Sequence, residues 1–291
     1  KYIFALHPTS RLAELNSLVP TASGVWASEN GSTDFDYSDG DEAEHRLRTI
    51  LSQTSNRTSL SIELEESITD WVSEYHFSPL RGNLLRYLNL EHCETVLELG
   101  CGCGSLTSYL GGLGLSVDAI EGSLRRANIA RIRCKDYDKV RVYSSNFYDL
   151  SLPSAQYDAI FFIGVMEYAG RFVPGQQSAD EAVEYLLRMV EPSLSPDGVI
   201  IIGIENRLGR KYLCGAGEDH YGIAFEGIHG YPNYSGIKTW SRQEWRELIK
   251  KTGLAHDFHY PFPDYKLPTL ILNDRYVASN PDVWTHLSGL S

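Results

Sequence analysis

The stretch "VLELGCGCGSLTSYLGGLGLSVDAIEGS", residues 96–123, decides the fold of this chain. One apolar run ends at Leu99, three glycines follow at alternate positions, and a second apolar run ends just before Glu121. This order predicts a short buried strand, a tight turn that opens a helix, and a second strand. The turn could serve as a nucleotide cradle or a metal clip, or it could be a tight turn and nothing more. Residues outside it decide among these three interpretations.

Strand and helix patterns alternate from residue 95 onward. Strands are predicted at "TVLEL", "LSVDAI", "VRVYS", "YDAIFFIGV" and "GVIIIGIE", with final strands at "LAHDFHYPF" and "PTLILN". Helices are predicted at "SLTSYLGGL", "SLRRANIARIRC", "SADEAVEYLLRMVEPSL" and "SRQEWRELIKKTG". Strict alternation indicates a parallel sheet covered on both faces, with right-handed crossovers. The predicted fold class is therefore α/β: a doubly wound, Rossmann-like, mostly parallel seven-stranded sheet with helices on both faces, an N-terminal helical layer and a substrate-side insertion after strand five.

The domain organisation follows from changes in composition. Residues 1–60 are predicted to be an N-terminal extension, in which the acidic, Gly- and Ser-rich run at 27–44 forms a surface loop and "DEAEHRLRTIL" a short helix. Residues 61–291 are predicted to be one domain, made of N-terminal lid helices (61–92), a Rossmann-like core (93–205), an insertion or lid (206–239), and a C-terminal helix with strands (240–291).

Composition excludes several classes of protein. The chain has 291 residues and a net charge of −12, which disfavours binding to a phosphate backbone. Its apolar runs are shorter than the roughly 20 residues that span a bilayer, so no transmembrane helix is predicted. The N-terminal stretch lacks the apolar core of a secretory signal, and we therefore expect a cytoplasmic location. An odd number of cysteines in a chain of this length favours reduced thiols over a disulfide framework.

The loop after the first strand discriminates between ligands by its spacing and charge. The dinucleotide pattern G-x-G-x-x-G requires glycine where this chain has Ser105. The negative charge of Glu98 is unfavourable beside a pyrophosphate and suits the cationic aminopropyl part of S-adenosylmethionine. Cys101 and Cys103 lack a second Cys or His pair at ligand spacing, so no metal site is predicted.

Each of the first three predicted core strands contributes candidate cofactor contacts. The glycines of the first loop let the backbone approach a ligand closely, and the second strand ends in a carboxylate placed to accept hydrogen bonds from both ribose hydroxyls. After the third strand, a polar side chain is placed to read the adenine edge, and the next residue offers an apolar contact. These candidates are Glu98, Gly100, Gly102, Gly104, Glu121, Gly122, Asn146 and Phe147.

On "ELGCGCG", "IEGS" and "SNFYDL", the chain resembles the class I S-adenosylmethionine-dependent methyltransferases over roughly residues 70–272. "WVSEYHFSPLRGNLLR", "IGVMEYAGRF", "IENRLGRKYLCGAGEDHYGIAFEGIHGY" and "YPFPDYKLPT" are similar to methyltransferase domains encoded among genes for bacterial lipopolysaccharide and other surface polysaccharides. Those domains are often fused to glycosyltransferases or kinases. The resemblance implies S-adenosylmethionine as cofactor, S-adenosylhomocysteine as product, and a glycan or small hydroxylated acceptor with a fused or partner glycosyltransferase. It also implies that Arg81 pairs with the methionine carboxylate.

The insertion after strand five carries the candidate catalytic residue. His220 is the best candidate general base, with the neighbouring Asp219 placed to orient it. Arg207, Arg210 and Lys211 are alternative candidates, as clamps for an anionic acceptor. The chain lacks an unmistakable catalytic motif, so a second hypothesis is a catalytically inactive, cofactor-binding docking domain of a glycan-assembly enzyme.

Overall fold

Seven strands form the central sheet, in the order β1-β2-β5-β4-β3-β6-β7. They are β1 (Val19–Pro20), β2 (Trp26–Ala27), β3 (Thr95–Leu99), β4 (Ser116–Glu121), β5 (Val140–Ser144), β6 (Tyr157–Ile163) and β7 (Leu194–Gly203). Every neighbouring pair is parallel except β1 and β2. The computed structural model describes residues 10–29, 37–176, 178–233, 236–280 and 282–283, so part of the predicted loop at 27–44 and both chain ends lie outside it.

Helices cover the sheet and continue into the N-terminal segment. They are α1 (Arg11–Leu15), α2 (Asp41–Gln53), α3 (Ile62–Glu65), α4 (Trp71–Phe77), α5 (Asn83–Arg86), α6 (Ser105–Gly112), α7 (Leu124–Arg133), α8 (Ala169–Phe172), α9 (Ala179–Val190), α10 (Arg210–Leu213), α11 (Arg242–Thr252) and α12 (Asp274–Ser279). The α/β fold class predicted from the sequence is confirmed. No helix within the described ranges combines the length and apolar character needed to cross a membrane.

The central strand β6 shows why the sheet needs helices on both faces. Ile160 and Phe162 pack into one apolar cluster with α9 and α11, whereas Ala159 and Phe161 pack into the opposite cluster with α6 and α7. All four side chains are at most 1% exposed. The nearly continuous apolar run of this strand follows from that double burial.

The sixth and seventh strands of the sheet differ from those expected. The two C-terminal strands exist, as β8 (His259–Phe262) and β9 (Leu270–Asn273), but they form their own antiparallel pair. The sheet is completed instead from the N-terminal segment, where Trp26 of β2 lies opposite Tyr143 of β5. This pairing covers the carboxyl-terminal part of the outer edge of β5, at Tyr143 and Ser144, and leaves the two-residue β1 as the outer strand.

Local sequence signals place several helix ends. Ser241 and Glu244 form the predicted capping box of α11, each side chain bonding to the other residue's backbone N–H. In the N-terminal helices, α4 ends at Phe77 and a 3₁₀ turn begins at Pro79, because proline is accepted only in a first helical turn.

The chain order of the strands leaves a crevice at one edge of the sheet. From the central β3 the chain runs outward through β4 and β5, then returns to the other side of β3 for β6 and β7. The loops that follow β3 and β6 therefore leave in opposite directions. A ligand site is expected at the carboxyl ends of the strands beside this switch point.

Gly104 supplies a test of the packing between α6 and α7. Its φ is +80°, and a Cβ there would lie 2.9 Å from the Cα of Ala130. Gly114 has a similar φ of +82° with nothing within 4 Å of the position of its absent Cβ. We expect Gly114→Ala to lower the free energy of unfolding by about 1 kcal/mol, from backbone strain alone.

We expect Gly104→Ala to cost roughly 2–4 kcal/mol, because overpacking against a backbone atom adds to the same strain. Urea denaturation of the two variants measures the difference. Equal losses of unfolding free energy in the two variants would show that α6 and α7 can move apart at Gly104 without cost.

Candidate cofactor and acceptor site

A cavity of about 550 Å³ lies at the carboxyl ends of the central strands. Loops after β3, β4, β5 and β6 all contribute to its wall, as the strand order requires. Nine of the ten residues predicted for the site line this cavity: Arg81, Glu98, Gly100, Gly102, Glu121, Gly122, Asn146, Phe147 and His220. The exception is Gly104, which faces α7 because its close approach is to Ala130.

Two constraints require glycine at position 100: the backbone conformation of the turn, and the close contact with a residue that follows β6. Gly100 has a φ of +76°, and a Cβ there would lie 2.5 Å from Cγ2 of Val165. Val165 follows β6, so the two loops on either side of the switch point touch here. This contact forms part of the cavity wall beside Gly102.

Glu121 is held at the end of β4 by two backbone donors. The N–H of Gly102 donates to its Oε2 at 2.8 Å, and the N–H of Ser123 donates to its Oε1 at 3.0 Å. Each oxygen retains a free lone-pair direction, since a carboxylate accepts about four hydrogen bonds. The carboxylate is 4% exposed and lines the cavity, so it is oriented for hydroxyl donors.

The loop after β5 places an amide and an aromatic ring against the cavity. The Oδ1 atom of Asn146 is buried without a hydrogen-bond partner among the described residues. Phe147 packs edge-on against Phe162, with 6.2 Å between ring centroids. An unpaired buried acceptor beside a flat apolar surface fits a nucleobase that has an exocyclic amino group.

Glu98 and Arg81 lie on the same side of the cavity. Burial raises the pKa of Glu98 to about 7, although the hydroxyl of Thr107 donates to it at 2.6 Å and Arg81 lowers it. Arg81 donates to the backbone oxygens of Tyr265 and Lys266 and to the hydroxyl of Tyr75. Three of its five N–H groups are thereby used, and the remaining two are available to a ligand.

The N-terminal segment contributes a wall that the sequence did not predict. Tyr37 and Asp39 line the cavity, although both lie in the run predicted to be a surface loop. Asp39 contacts His76 Nε2 at 3.1 Å and Arg126 at 3.4 Å, while Tyr37 stacks on the same guanidinium. The run is acidic and contains an aromatic residue at position 37, but neither feature predicts a cavity wall.

His220 stands at the other end of the cavity, but its partner is not the predicted one. Its Nδ1 lies 2.7 Å from Oε1 of Glu218, whereas Asp219 binds Lys211 and Lys266. The prediction for Asp219 was wrong because the backbone N–H groups of residues 220 and 221 turn the Glu218 carboxylate toward the ring. Glu218 is 3% exposed and also accepts from the hydroxyl of Tyr231.

Two further carboxylates share this end of the cavity. Glu167 follows β6 and Glu205 follows β7, and their side chains are buried at 2% and 5% exposure. Burial and the nearby charge of Glu205 raise the pKa of Glu167 to about 8. Lys266 makes an ion pair with Glu205. Glu167 lies within "IGVMEYAGRF", one of the segments on which the family resemblance depends. No other sequence pattern predicted a role for it.

The alternative anion clamp is not assembled. Arg207 donates to Glu244 at 2.6 Å and to two backbone oxygens, so it ties the insertion to α11. Neither Arg207 nor Arg210 lines the cavity. Lys211 does, but both carboxylate oxygens of Asp219 accept from it.

Two groups of three metal-ligand side chains occur within the described part of the chain. Asp39, His76 and Cys103 form one group, and Glu167, Glu205 and His220 form the other, with ligand atoms within 4.8 Å of each other. Burial raises the pKa of Cys103 to about 12, so the neutral thiol is a poor ligand. Cys103 packs instead with Leu47 and Phe77.

Comparison with known proteins assigns the middle of the chain to a described family. A family model described as a methyltransferase domain matches residues 96–193, about a third of the chain. The chain carries a class I S-adenosylmethionine-dependent methyltransferase domain. The matched segment of this methyltransferase contains the glycine loop, Glu121 and Asn146. It contains Glu167 and ends before Glu205 and His220, so the end of the cavity around His220 lies only partly within the family match.

Two curated relatives of this methyltransferase were found by sequence. A ubiquinone biosynthesis O-methyltransferase from Nitrosococcus oceani is 25% identical over 206 residues, covering 64% of this chain and 80% of that protein. A demethylmenaquinone methyltransferase from Tropheryma whipplei is 28% identical over 108 residues, covering 37% of this chain and 44% of that protein. The chain thus spans less than half the length of the second relative.

Solved structures also resemble this methyltransferase. Haemonchus contortus phosphoethanolamine N-methyltransferase 2, in complex with S-adenosyl-L-methionine, is 16% identical with a TM-score of 0.46. The superposition covers 74% of this chain and 46% of that one.

Proposed function

We propose that the protein transfers the methyl group of S-adenosylmethionine to a hydroxyl oxygen of a saccharide or sugar-linked small molecule, with His220 as general base. The observation that carries this proposal is the 2.7 Å contact of His220 Nδ1 with the buried Glu218 carboxylate, at the opposite end of one cavity from Glu121. A base and a nucleoside-binding carboxylate in a single cavity suit group transfer to a second substrate. The Nitrosococcus relative is likewise named as an O-methyltransferase.

The cofactor half of the cavity fits a sulfonium nucleoside. Glu121 would accept from the ribose hydroxyls, Asn146 would accept from the adenine amino group, and Glu98 would face the cationic chain. Arg81 would use its two remaining N–H groups for the methionine carboxylate. When bound, the cofactor supplies an electrophilic methyl group.

The proton step depends on the tautomer of His220. A carboxylate accepts hydrogen bonds, so Nδ1 carries the hydrogen and Nε2 carries the lone pair. The acceptor hydroxyl would give its proton to Nε2 of His220, which would leave its oxygen free to take the methyl group that a bound cofactor supplies. The chain's own contribution is to align the acceptor, exclude water and hold this proton.

Replacement of Glu218 tests whether its carboxylate orients the imidazole of His220. We expect Glu218→Gln to lower kcat about tenfold, because an amide cannot accept from the imidazole and from two backbone N–H groups together. Loss of the negative charge also lowers the pKa of His220, so the acid limb of the kcat–pH profile should move to lower pH. Turnover across pH 5–9 measures both effects.

Glu226 supplies the matched control for this experiment. It is 3% exposed in the same insertion and binds Asn233, but it does not line the cavity. Glu226→Gln should leave the acid limb in place. If both variants moved the limb equally, the effect would come from the stability of the insertion and not from the contact with His220.

The first experiment is equilibrium binding of S-adenosylmethionine by calorimetry, followed by methyl transfer from labelled cofactor to a polysaccharide extract. Absence of binding by a cofactor-free preparation would overturn the proposal. Formation of S-adenosylhomocysteine that depends on the extract would exclude an inactive docking domain.

We further propose that residues 206–239 form the acceptor-side segment and that a glycosyltransferase is the fused or partner enzyme.

A further inference from the structure

Glu167 and Glu205 present free carboxylate oxygens to the acceptor end of the cavity. They follow the adjacent parallel strands β6 and β7, whose carboxyl ends meet at this edge of the sheet. The Oε2 atom of each is buried and has no hydrogen-bond partner among the described residues. Oε1 of Glu205 is taken by Lys266.

An unpaired buried carboxylate oxygen is costly, and buried polar atoms are normally satisfied in native structures. Both residues line one cavity, so a ligand bound there is placed to supply the missing donors. Burial and the nearby charge of Glu205 raise the pKa of Glu167, and a hydrogen bond donated by a ligand would stabilise its ionised form. The ligand atoms of Glu167, Glu205 and His220 lie within 4.8 Å of one another, so a single small molecule can reach all three.

The charges around the two carboxylates favour a neutral donor. Lys266 already bonds to Oε1 of Glu205 and to Asp219, so one cation already neutralises part of this group of carboxylates. A divalent ion or a substrate ammonium would have to bind beside this ammonium, whose positive charge opposes a second cation. A hydroxyl group carries no charge, yet donates the hydrogen bond that each oxygen lacks.

We propose that Glu167 and Glu205 form a hydroxyl-recognition site beside His220, so that the acceptor is a vicinal diol. One hydroxyl gives its proton to Nε2 of His220 and is methylated, while the neighbouring hydroxyl donates to Glu167. This inference rests on the proposed function and narrows its acceptor. The same chemistry is offered by a sugar and by an aromatic 1,2-diol, and the experiment separates these two sources.

Matched pairs of small acceptors test the assignment. The sugar pair is methyl α-mannopyranoside and its 3-deoxy analogue, which keeps hydroxyls at carbons 2, 4 and 6 but no vicinal pair, and the aromatic pair is catechol and phenol. We expect wild-type protein to prefer the diol in at least one pair by about tenfold or more in kcat/KM, the value of a hydrogen bond to a charged group. Glu167→Gln should abolish most of that preference, because the neutral amide oxygen accepts a weaker hydrogen bond from the second hydroxyl than a charged carboxylate does.

Glu91→Gln, an exposed control distant from the cavity lining, should keep the preference intact. The wild-type comparison needs no substitution, so a poorly folded variant does not remove the test. Equal use of diol and single hydroxyl would overturn the inference, as would a preference that survives in Glu167→Gln. So would activity that is lost on chelation and restored by Mn²⁺, because the carboxylates would then hold a cation.

Different experimental outcomes would contradict the diol inference and the proposed function. If single hydroxyls are methylated as well as diols, and His220→Ala abolishes both reactions, the diol inference fails and the proposed function stands. If the diol preference persists while His220→Ala has no effect, the base assignment fails and the recognition site stands. If no diol is methylated, and none binds in the presence of S-adenosylhomocysteine by saturation-transfer NMR, the diol inference is overturned.

Discussion

Replacement of His220 by alanine should lower kcat for methyl transfer by at least about 100-fold, the usual contribution of a general base to a reaction at a weakly acidic hydroxyl. Cofactor affinity should stay the same, because Glu121 and Asn146 lie at the other end of the cavity. Single-turnover transfer from labelled S-adenosylmethionine measures the chemical step, and calorimetry measures the affinity.

His229 provides the control, since it lies exposed in the same insertion, stacks on Phe225 and does not line the cavity. His229→Ala should retain wild-type turnover. A loss of only a few-fold in His220→Ala would contradict proton removal by this residue. The acceptor would then be one that is already ionised.

The pH dependence of the wild-type reaction gives an independent check. Burial lowers the pKa of His220, but the hydrogen bond that its ring donates to Glu218 and the charges of Glu167 and Glu205 outweigh it and raise the pKa above 6.5. A base must be neutral to accept a proton, so kcat should rise with pH and reach half its plateau above pH 6.5. An acid limb centred below that value would show that the neighbouring carboxylates are neutral or distant during turnover.

The second large effect is expected at the cofactor end. Glu121→Ala should weaken S-adenosylmethionine binding by roughly 1.5–3 kcal/mol, about 10- to 150-fold in Kd, because the ribose loses a charged acceptor. Glu121→Gln should give a smaller loss in the same direction, since one oxygen remains. Titration calorimetry on the free protein measures each value.

Asp118 controls for the loss of a buried carboxylate from the same strand. It is 4% exposed, bonds to Tyr143 and Tyr157, and does not line the cavity. Asp118→Asn should lower stability without changing the Kd. Unchanged affinity in Glu121→Ala would remove this residue from the cofactor site.

The position of the proposed cofactor residues in one cavity could be predicted because its signals are local. Gly100 follows β3, Glu121 ends β4 and Asn146 lies two residues after β5, and parallel strands bring their carboxyl ends to one edge of the sheet whatever the details of packing. The capping box at Ser241 and the proline at position 79 placed helix ends for the same reason. Short-range chemistry determines all of these features.

The acceptor half depends on contacts between distant segments. Nothing in the sequence states that Lys266 reaches Glu205, or that Glu218 rather than Asp219 turns toward His220. The choice between two adjacent carboxylates was made by two backbone N–H groups in a loop without regular structure. Likewise, β8 and β9 carried strand patterns, but a pattern does not say which edge a strand joins.

The strand β2 has a practical consequence for any attempt to trim the protein. A fragment cut to the 96–193 match would expose the backbone of β5 along one side and would lack Tyr37 and Asp39, which close the cavity near Arg126. Such a fragment would carry a recognisable glycine loop, yet it would offer neighbouring molecules an open β-edge and leave the cavity open to solvent beside Arg126.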